Sequence, residues 1–189
     1  MQKELAALLI KDLYRYGIKK ESELSWMGRF ELYGYRYTKW LRRCKYYKEQ
    51  RKVLRFLYAR IQLHIMSQRY GIHISYGTEI GPGLYLGHSG NIVINEKAHI
   101  GKNVNIAQGV TIGIANGGKK PGVPIIGNDV WIGTNAVLAG GIVIGDDVMI
   151  APNTFVNFDV PSHAIVVSQK ASVILRQSAT ENYINNKVE

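Results

Sequence analysis

Aliphatic residues return at every sixth position through the middle of the chain. Between residues 73 and 160 they stand at Ile94, Ile100, Ile106 and Ile112, then at Ile126, Ile132, Leu138, Ile144, Ile150 and Val156. The residue four places after each is usually small or β-branched, as at Ala98, Val104, Val110, Val130, Ala136 and Val148. Gly, Asn and Asp crowd the intervals, as in Ile126-Gly127-Asn128-Asp129 and Ile144-Gly145-Asp146-Asp147. No α-helix has this period, and a hairpin sheet has no need of it. A fixed short period is the mark of a repeat fold. The pattern predicts a coil with flat sides, each hexad a short strand and a tight corner, three hexads to a triangular turn. The aliphatic residue points into the prism. Gly, Asn and Asp take the corners because they tolerate positive φ at low cost. Each coil buries its inner face only against its neighbours, so both ends of the stack need caps.

The periodicity before this run is helical. Leu5, Leu8, Leu9, Leu13 and Tyr16 predict a helix over residues 3–16, with Gly17 as its stop. Ser22 or Ser25 is placed to cap a second helix. The helical pattern then runs from Met27 to about Arg69, with a break expected near Gly34. Leu54, Leu57, Tyr58, Ile61 and Ile65 form one apolar face, and Lys48, Arg51, Lys52 and Arg55 lie opposite. The hexads stop after Val160. The pattern thus divides the chain into a basic α-helical region over 1–70, a repeat domain over 71–170 and a short C-terminal helix or tail over 171–189.

Two irregularities interrupt the repeat. From Leu86 to Ile94 the spacing is eight, so two extra residues bulge directly after His88. From Ile112 to Ile126 it is fourteen, so a loop over 114–124 protrudes, carrying Gly117, Gly118, Lys119, Lys120 and Pro121. Function concentrates at such departures from a regular scaffold.

Charge narrows the partners. The formal net charge is +10, but residues 1–70 hold 17 Lys plus Arg against 6 Asp plus Glu, and the remainder holds 7 against 8. Tyr35, Tyr37, Trp40, Tyr46 and Tyr47 interleave with the cations. This suits a solvated packing face, or attraction to an anionic membrane surface or glycan lipid. No nucleic-acid motif accompanies the charge, and no nucleic-acid partner is expected. Cys44 is the only cysteine, which excludes an intrachain disulfide and a thiolate metal cluster. No apolar run nears the roughly 20 residues of a membrane span, and the start lacks a signal-like apolar stretch. The expected location is cytoplasmic, or the inner face of the membrane.

The hexads resemble the left-handed parallel β-helix acyltransferases, the hexapeptide-repeat proteins. Within them, Gly71-Ile72-His73-Ile74, Ile80-Gly81-Pro82-Gly83-Leu84, Leu86-Gly87-His88 and Val110-Thr111-Ile112-Gly113 resemble the serine acetyltransferase branch. The resemblance covers roughly residues 70–170. It implies a mostly β fold, a left-handed hand for the coil, a homotrimer, and acetyl-CoA lying between subunits with no metal. It puts the catalytic histidine at His88. Acyl transfer to a hydroxyl needs a base near the alcohol proton and a donor for the oxyanion. A neutral imidazole can take that proton as attack occurs. The family's orienting aspartate is replaced by His73, which leaves His73, Glu96 or a backbone carbonyl to fix the ring. The resemblance puts the pantetheine arm near Gly113, Thr134 and Ala151, with Lys119, Lys120, Lys170 and Arg176 as candidates for the CoA phosphates. A backbone N–H near Gly113 is the candidate oxyanion donor.

The acceptor site departs from that branch. Gly87 stands where the serine enzymes carry an aspartate. Pro121-Gly122-Val123-Pro124 stands where they carry Asp-Arg-His-Pro. A zwitterion needs charged partners, and neither Gly87 nor Val123 is one. The sequence is therefore read as an O-acetyltransferase acting on an uncharged saccharide or glycan hydroxyl, resembling enzymes of exopolysaccharide and capsule synthesis. Serine O-acetyltransferase is the alternative. A β-helix metalloenzyme of the γ-carbonic-anhydrase type would need His73, His88 and His99 to converge, and their spacing does not match that pattern. A non-catalytic scaffold would not require His88 beside a bulge.

Overall fold

The structure, a computed structural model, describes residues 2–23, 25, 32–168 and 177. Among the described residues fourteen short strands wind in parallel into a triangular prism of the left-handed β-helix type. The first face stacks β1 (Ile72–Ile74), β4 (Ile92–Ile94), β7 (Thr111–Gly113), β10 (Val137–Ala139) and β13 (Phe155–Val156). The second stacks β2 (Glu79–Ile80), β5 (His99–Ile100), β8 (Ile125–Ile126) and β11 (Val143–Ile144). The third stacks β3 (Tyr85–Leu86), β6 (Asn105–Ile106), β9 (Trp131–Ile132), β12 (Val148–Ile150) and β14 (Ala164–Val166).

The register explains the period. Ile94 pairs with Ile112, Ile100 with Ile126, and Ile106 with Ile132, so each inward residue sits on its counterpart one coil away. All the sixth-position residues from Ile94 to Val156 are at most 4% exposed. Burying each such side chain contributes about 1.5–3 kcal/mol. Asn103, Asp129, Asn135, Asp147 and Asn153 take the corners at φ between 54° and 58°.

Among the described residues three helices lie before the prism: α1 (Gln2–Tyr14), α2 (Tyr33–Glu49) and α3 (Val53–Tyr70), with a 3-10 turn at Glu21–Glu23. They close the otherwise open backbone of the first coil on all three faces. On the first face, the Tyr37 hydroxyl donates to the Ile74 carbonyl at 3.0 Å and accepts from the Ile74 N–H at 3.0 Å. On the second, Arg42 donates to the Ile80 and Gly81 carbonyls, each at 2.6 Å. On the third, the Tyr16 hydroxyl bonds both backbone groups of Leu86. Arg42 also pairs with Asp12 at 2.9 Å, and both are buried. Asp12 in turn accepts from the Gly83 and Leu84 N–H groups. An exposed strand edge is a template for unwanted pairing, and these four side chains remove it.

The helical region differs from the sequence expectation in three ways. α2 starts at Tyr33 after a non-helical Leu32 (φ −79°, ψ 57°), which puts a break near Gly34, and a further, unexpected break falls at residues 50–52, where Arg51 has φ 52°. Gly34 lies inside α2 because the helix crosses the first coil there; an added Cβ would stand 2.0 Å from the Leu86 carbonyl oxygen. The face of Leu54, Leu57, Tyr58, Ile61 and Ile65 is exposed, and α3 packs instead through Ala59, Leu63, Met66 and Tyr70. Tyr35 and Tyr37, read as part of a basic aromatic surface, are buried. The start of the second helix near Met27 and the C-terminal helix or tail lie outside the described residues, apart from a turn at Gln177.

Candidate active site

The two extra residues after His88 form a bulge at the corner between the third and first faces. The end of α3 supports it from below. The Gly90 N–H donates to the Tyr70 carbonyl at 2.8 Å, and the Ile92 N–H to the Gly71 carbonyl at 3.0 Å. Gly71 ends α3 at φ 65°, where an added Cβ would stand 3.1 Å from the Asn91 nitrogen. From above, the Gly109 N–H donates to the Gly90 carbonyl at 2.9 Å. The backbone on both sides of His88 is thus fixed, while its side chain is exposed.

His88 opens into a groove of about 250 Å³ lined by Tyr85, Gly87, Asn105, Gln108, Trp131 and Thr134. The corners of successive coils build one wall. The Asn135 N–H donates to the Gln108 carbonyl at 3.0 Å, and the Asn153 N–H to the Thr134 carbonyl at 2.8 Å. His88, Gln108, Thr134 and Pro152 therefore occupy one column of corners, and Ala151 stands one position before it, in register with Gly133. Sequence reasoning did not single out Gln108. Its Oε1 is buried and has no hydrogen-bond partner among the described residues. An unmade bond of this kind is costly, and a donor on a bound molecule would satisfy it. Only its place in the coil, twenty residues and one turn after His88, could have drawn attention to it.

The other proposed residues are spread around the prism. His73 points outward from the first face, opposite Val93, and no bond between it and His88 is found among the described residues. Glu96 lies at the far corner of that face, a strand's width of roughly 10 Å from the His88 bulge, where its carboxylate covers Gly77. No bond between Glu96 and His88 is found among the described residues. Gly113 ends β7 at that same far corner, and its carbonyl accepts from the Gly140 N–H. The loop over 114–124 follows, closed by paired bonds between Ala115 and Gly122 and docked on Gly141 through the Lys120 carbonyl. Lys119 is exposed, whereas Lys120 pairs with Asp159. That hydrogen bond holds the Asp159 carboxyl below its ordinary range. One chain alone thus brings His88 together with Thr134, but not with Gly113 or the loop lysines, and Ala151 does not line the groove. Lys170 and Arg176 lie outside the described residues. His99, on the second face, pairs with Glu79 at 2.9 Å. Among the described residues no group of three or more His, Cys, Asp or Glu side chains could hold a metal.

Gly87 has a steric role in this groove. An added Cβ there would stand 3.1 Å from the Tyr85 ring. That ring stacks against Tyr16 at 4.6 Å between centroids. Tyr85 therefore fills space beside His88 that a side chain at position 87 would contest.

Comparison with known proteins agrees with this architecture. The family model for the bacterial transferase hexapeptide (six repeats) matches residues 124–157. A serine acetyltransferase of Helicobacter pylori is 40% identical over 106 residues, covering 56% of this chain and 62% of that protein. One from Bacillus licheniformis is 34% identical over 137 residues, covering 72% of this chain and 62% of that protein. The chain is a hexapeptide-repeat β-solenoid similar to serine acetyltransferases. It spans 62% of the length of these two relatives. Among solved structures, the Neisseria gonorrhoeae serine acetyltransferase in complex with serine superposes with a TM-score of 0.70 at 29% identity, covering 90% of this chain and 69% of that one. The Brucella abortus serine acetyltransferase gives 0.71 at 26% identity, covering 91% and 69%. The α2–α3 region and the solenoid together thus follow a shared design.

Proposed function

We propose that this chain is an acetyl-CoA-dependent O-acetyltransferase of the serine acetyltransferase type, with His88 as general base and L-serine as acceptor. The observation that carries the reading is a histidine held on a fixed bulge over a groove whose wall includes Thr134 and Gln108, the latter with its side-chain amide oxygen unpartnered among the described residues. The similarity to serine acetyltransferases supports both donor and acceptor. Acetyl-CoA supplies an activated acyl group. His88 takes the proton from the acceptor hydroxyl as its oxygen attacks, and returns it to the departing sulfur. Such a base contributes about 10² to 10⁴ in rate. Gln108 accepts a hydrogen bond from an amide or hydroxyl in the groove. His73 is the proposed partner for the His88 ring, reached across the corner they flank. Thr134 and Ala151 line the path of the pantetheine arm, Lys119 meets the phosphates, and a trimer brings the groove of one protomer against the loop of the next.

A specific observation favours a second acceptor, an uncharged saccharide hydroxyl. The groove residues other than His88 carry no ionisable carboxylate or cation, and Tyr85 crowds position 87. An assay of CoA release with acetyl-CoA and L-serine decides. Turnover establishes serine. Transfer to a saccharide but not to serine establishes the second reading. Transfer to neither refutes both.

A further inference from the structure

α3 carries apolar residues on two sides, and the fold uses only one. Ala59, Leu63, Met66 and Tyr70 pack inward. On the other side Leu54 is 83% exposed, Leu57 51%, Tyr58 57%, Ile61 58% and Ile65 46%. These five fall on one stripe at helical spacing, about 16 Å long at 1.5 Å per residue. A continuous exposed apolar stripe marks a contact surface more often than chance.

Its borders identify the contact. On a helical wheel Arg55 and Arg69 fall along one edge of the stripe, Arg60 and His64 along the other. From Gln50 to Tyr70 the sequence contains no carboxylate. Trp40 packs edge-on against Tyr58 at 5.6 Å and carries the Arg43 guanidinium over its ring, extending the aromatic and cationic rim onto α2. A second copy of the same stripe would bring these cations against each other with no acidic residue to answer them. An anionic bilayer answers both parts, acyl chains for the stripe and phosphates for the rim.

We infer that the outer face of α3 docks this protein peripherally on an anionic phospholipid surface. The stripe lies within the acyl boundary and the arginines at the headgroups. No helix among the described residues is long and apolar enough to cross a membrane, so the contact is parallel to the bilayer plane. The inference does not depend on which hydroxyl is acetylated. α3 does, however, end beneath the His88 bulge, which links the docking helix to the segment that carries the candidate base.

Vesicle flotation of the full chain tests this, using phosphatidylcholine alone and an equal mixture with phosphatidylglycerol. The expected result is binding to the mixed vesicles only, weakened by added salt. Arg55→Ala should lower partitioning about fivefold. Leu57→Glu with Ile61→Glu should abolish it while acetyl transfer in solution persists. Failure to bind mixed vesicles overturns the inference. So does equal, salt-independent binding to both compositions. A paired-glutamate variant that alters the mass of the particle by light scattering and leaves vesicle binding unchanged assigns the stripe to a second copy, and also overturns it. If that variant does not fold, the salt and Arg55 measurements still decide.

Discussion

The Tyr16 hydroxyl donates to the Leu86 carbonyl at 3.2 Å and accepts from the Leu86 N–H at 3.1 Å, two residues before His88. The turn after α1, seventy residues away in sequence, thereby finishes the strand that leads to the candidate base. Tyr16→Phe leaves both backbone groups without that partner. We expect about 1–3 kcal/mol of lost stability, measured by urea denaturation, together with a fall in acetyl transfer. Unchanged stability would show that the hydroxyl is replaceable by solvent.

The Asp12–Arg42 pair fixes the same cap more deeply. Asp12 is fully buried and Arg42 is 6% exposed. Asp12→Ala leaves the guanidinium uncompensated, and breaking a buried pair from one side costs about 3–5 kcal/mol. Thermal unfolding should show the helices detaching at lower temperature than the solenoid. A single unshifted transition would mean that the pair does not hold the cap.

Gly34→Ala tests the close approach of α2 to the first coil. The new methyl would stand 2.0 Å from the Leu86 carbonyl oxygen and 2.6 Å from the Tyr16 hydroxyl. Helix propensity alone favours alanine by about 1 kcal/mol, so the two effects oppose. We expect a net loss of stability and of His88-dependent activity. A stabilised variant would show that the cap can shift at little cost.

Alkaline pH should loosen the helical region first. Burial raises the Tyr16, Tyr35 and Tyr37 phenols above their ordinary value of 10.0, and Tyr35 is raised further by its bond to Glu21. Burial also pushes the Cys44 thiol up to about 11 from 9.0. A folded-state pKa raised above the unfolded value contributes stability fully present below the unfolded value and lost as pH rises toward the folded one. The urea midpoint should therefore fall from about pH 9 upward. Native Cys44 should resist alkylation until the cap opens. A flat midpoint to pH 11 would contradict the first expectation, and alkylation of Cys44 in the folded protein at lower pH the second.

The solenoid was legible because its period is set by one repeated physical demand, an aliphatic side chain inside every short strand. Ile94, Ile100 and Ile106 announce it without any long-range information. The bulge after His88 was legible for the same reason, as a breach of that count. The cap was not. α3 is apolar on two sides, so periodicity could not say whether Leu57 or Leu63 faces inward. Asp12 and Arg42 look like ordinary surface charges until the fold buries them together. The break near Gly34 was legible, but the use of the glycine itself, room for the Leu86 carbonyl, exists only in three dimensions. Within the site, His88 and Thr134 share a groove, whereas eight residues of chain carry Glu96 from the His88 corner to the other end of the first face.

The most direct test of the account is the rate of CoA release by His88→Ala, with acetyl-CoA and whichever hydroxyl acceptor the unaltered chain turns over. With the unfolding midpoint unchanged, the account predicts a fall in kcat of at least about 100-fold. A correctly folded variant that keeps near-normal turnover would contradict it.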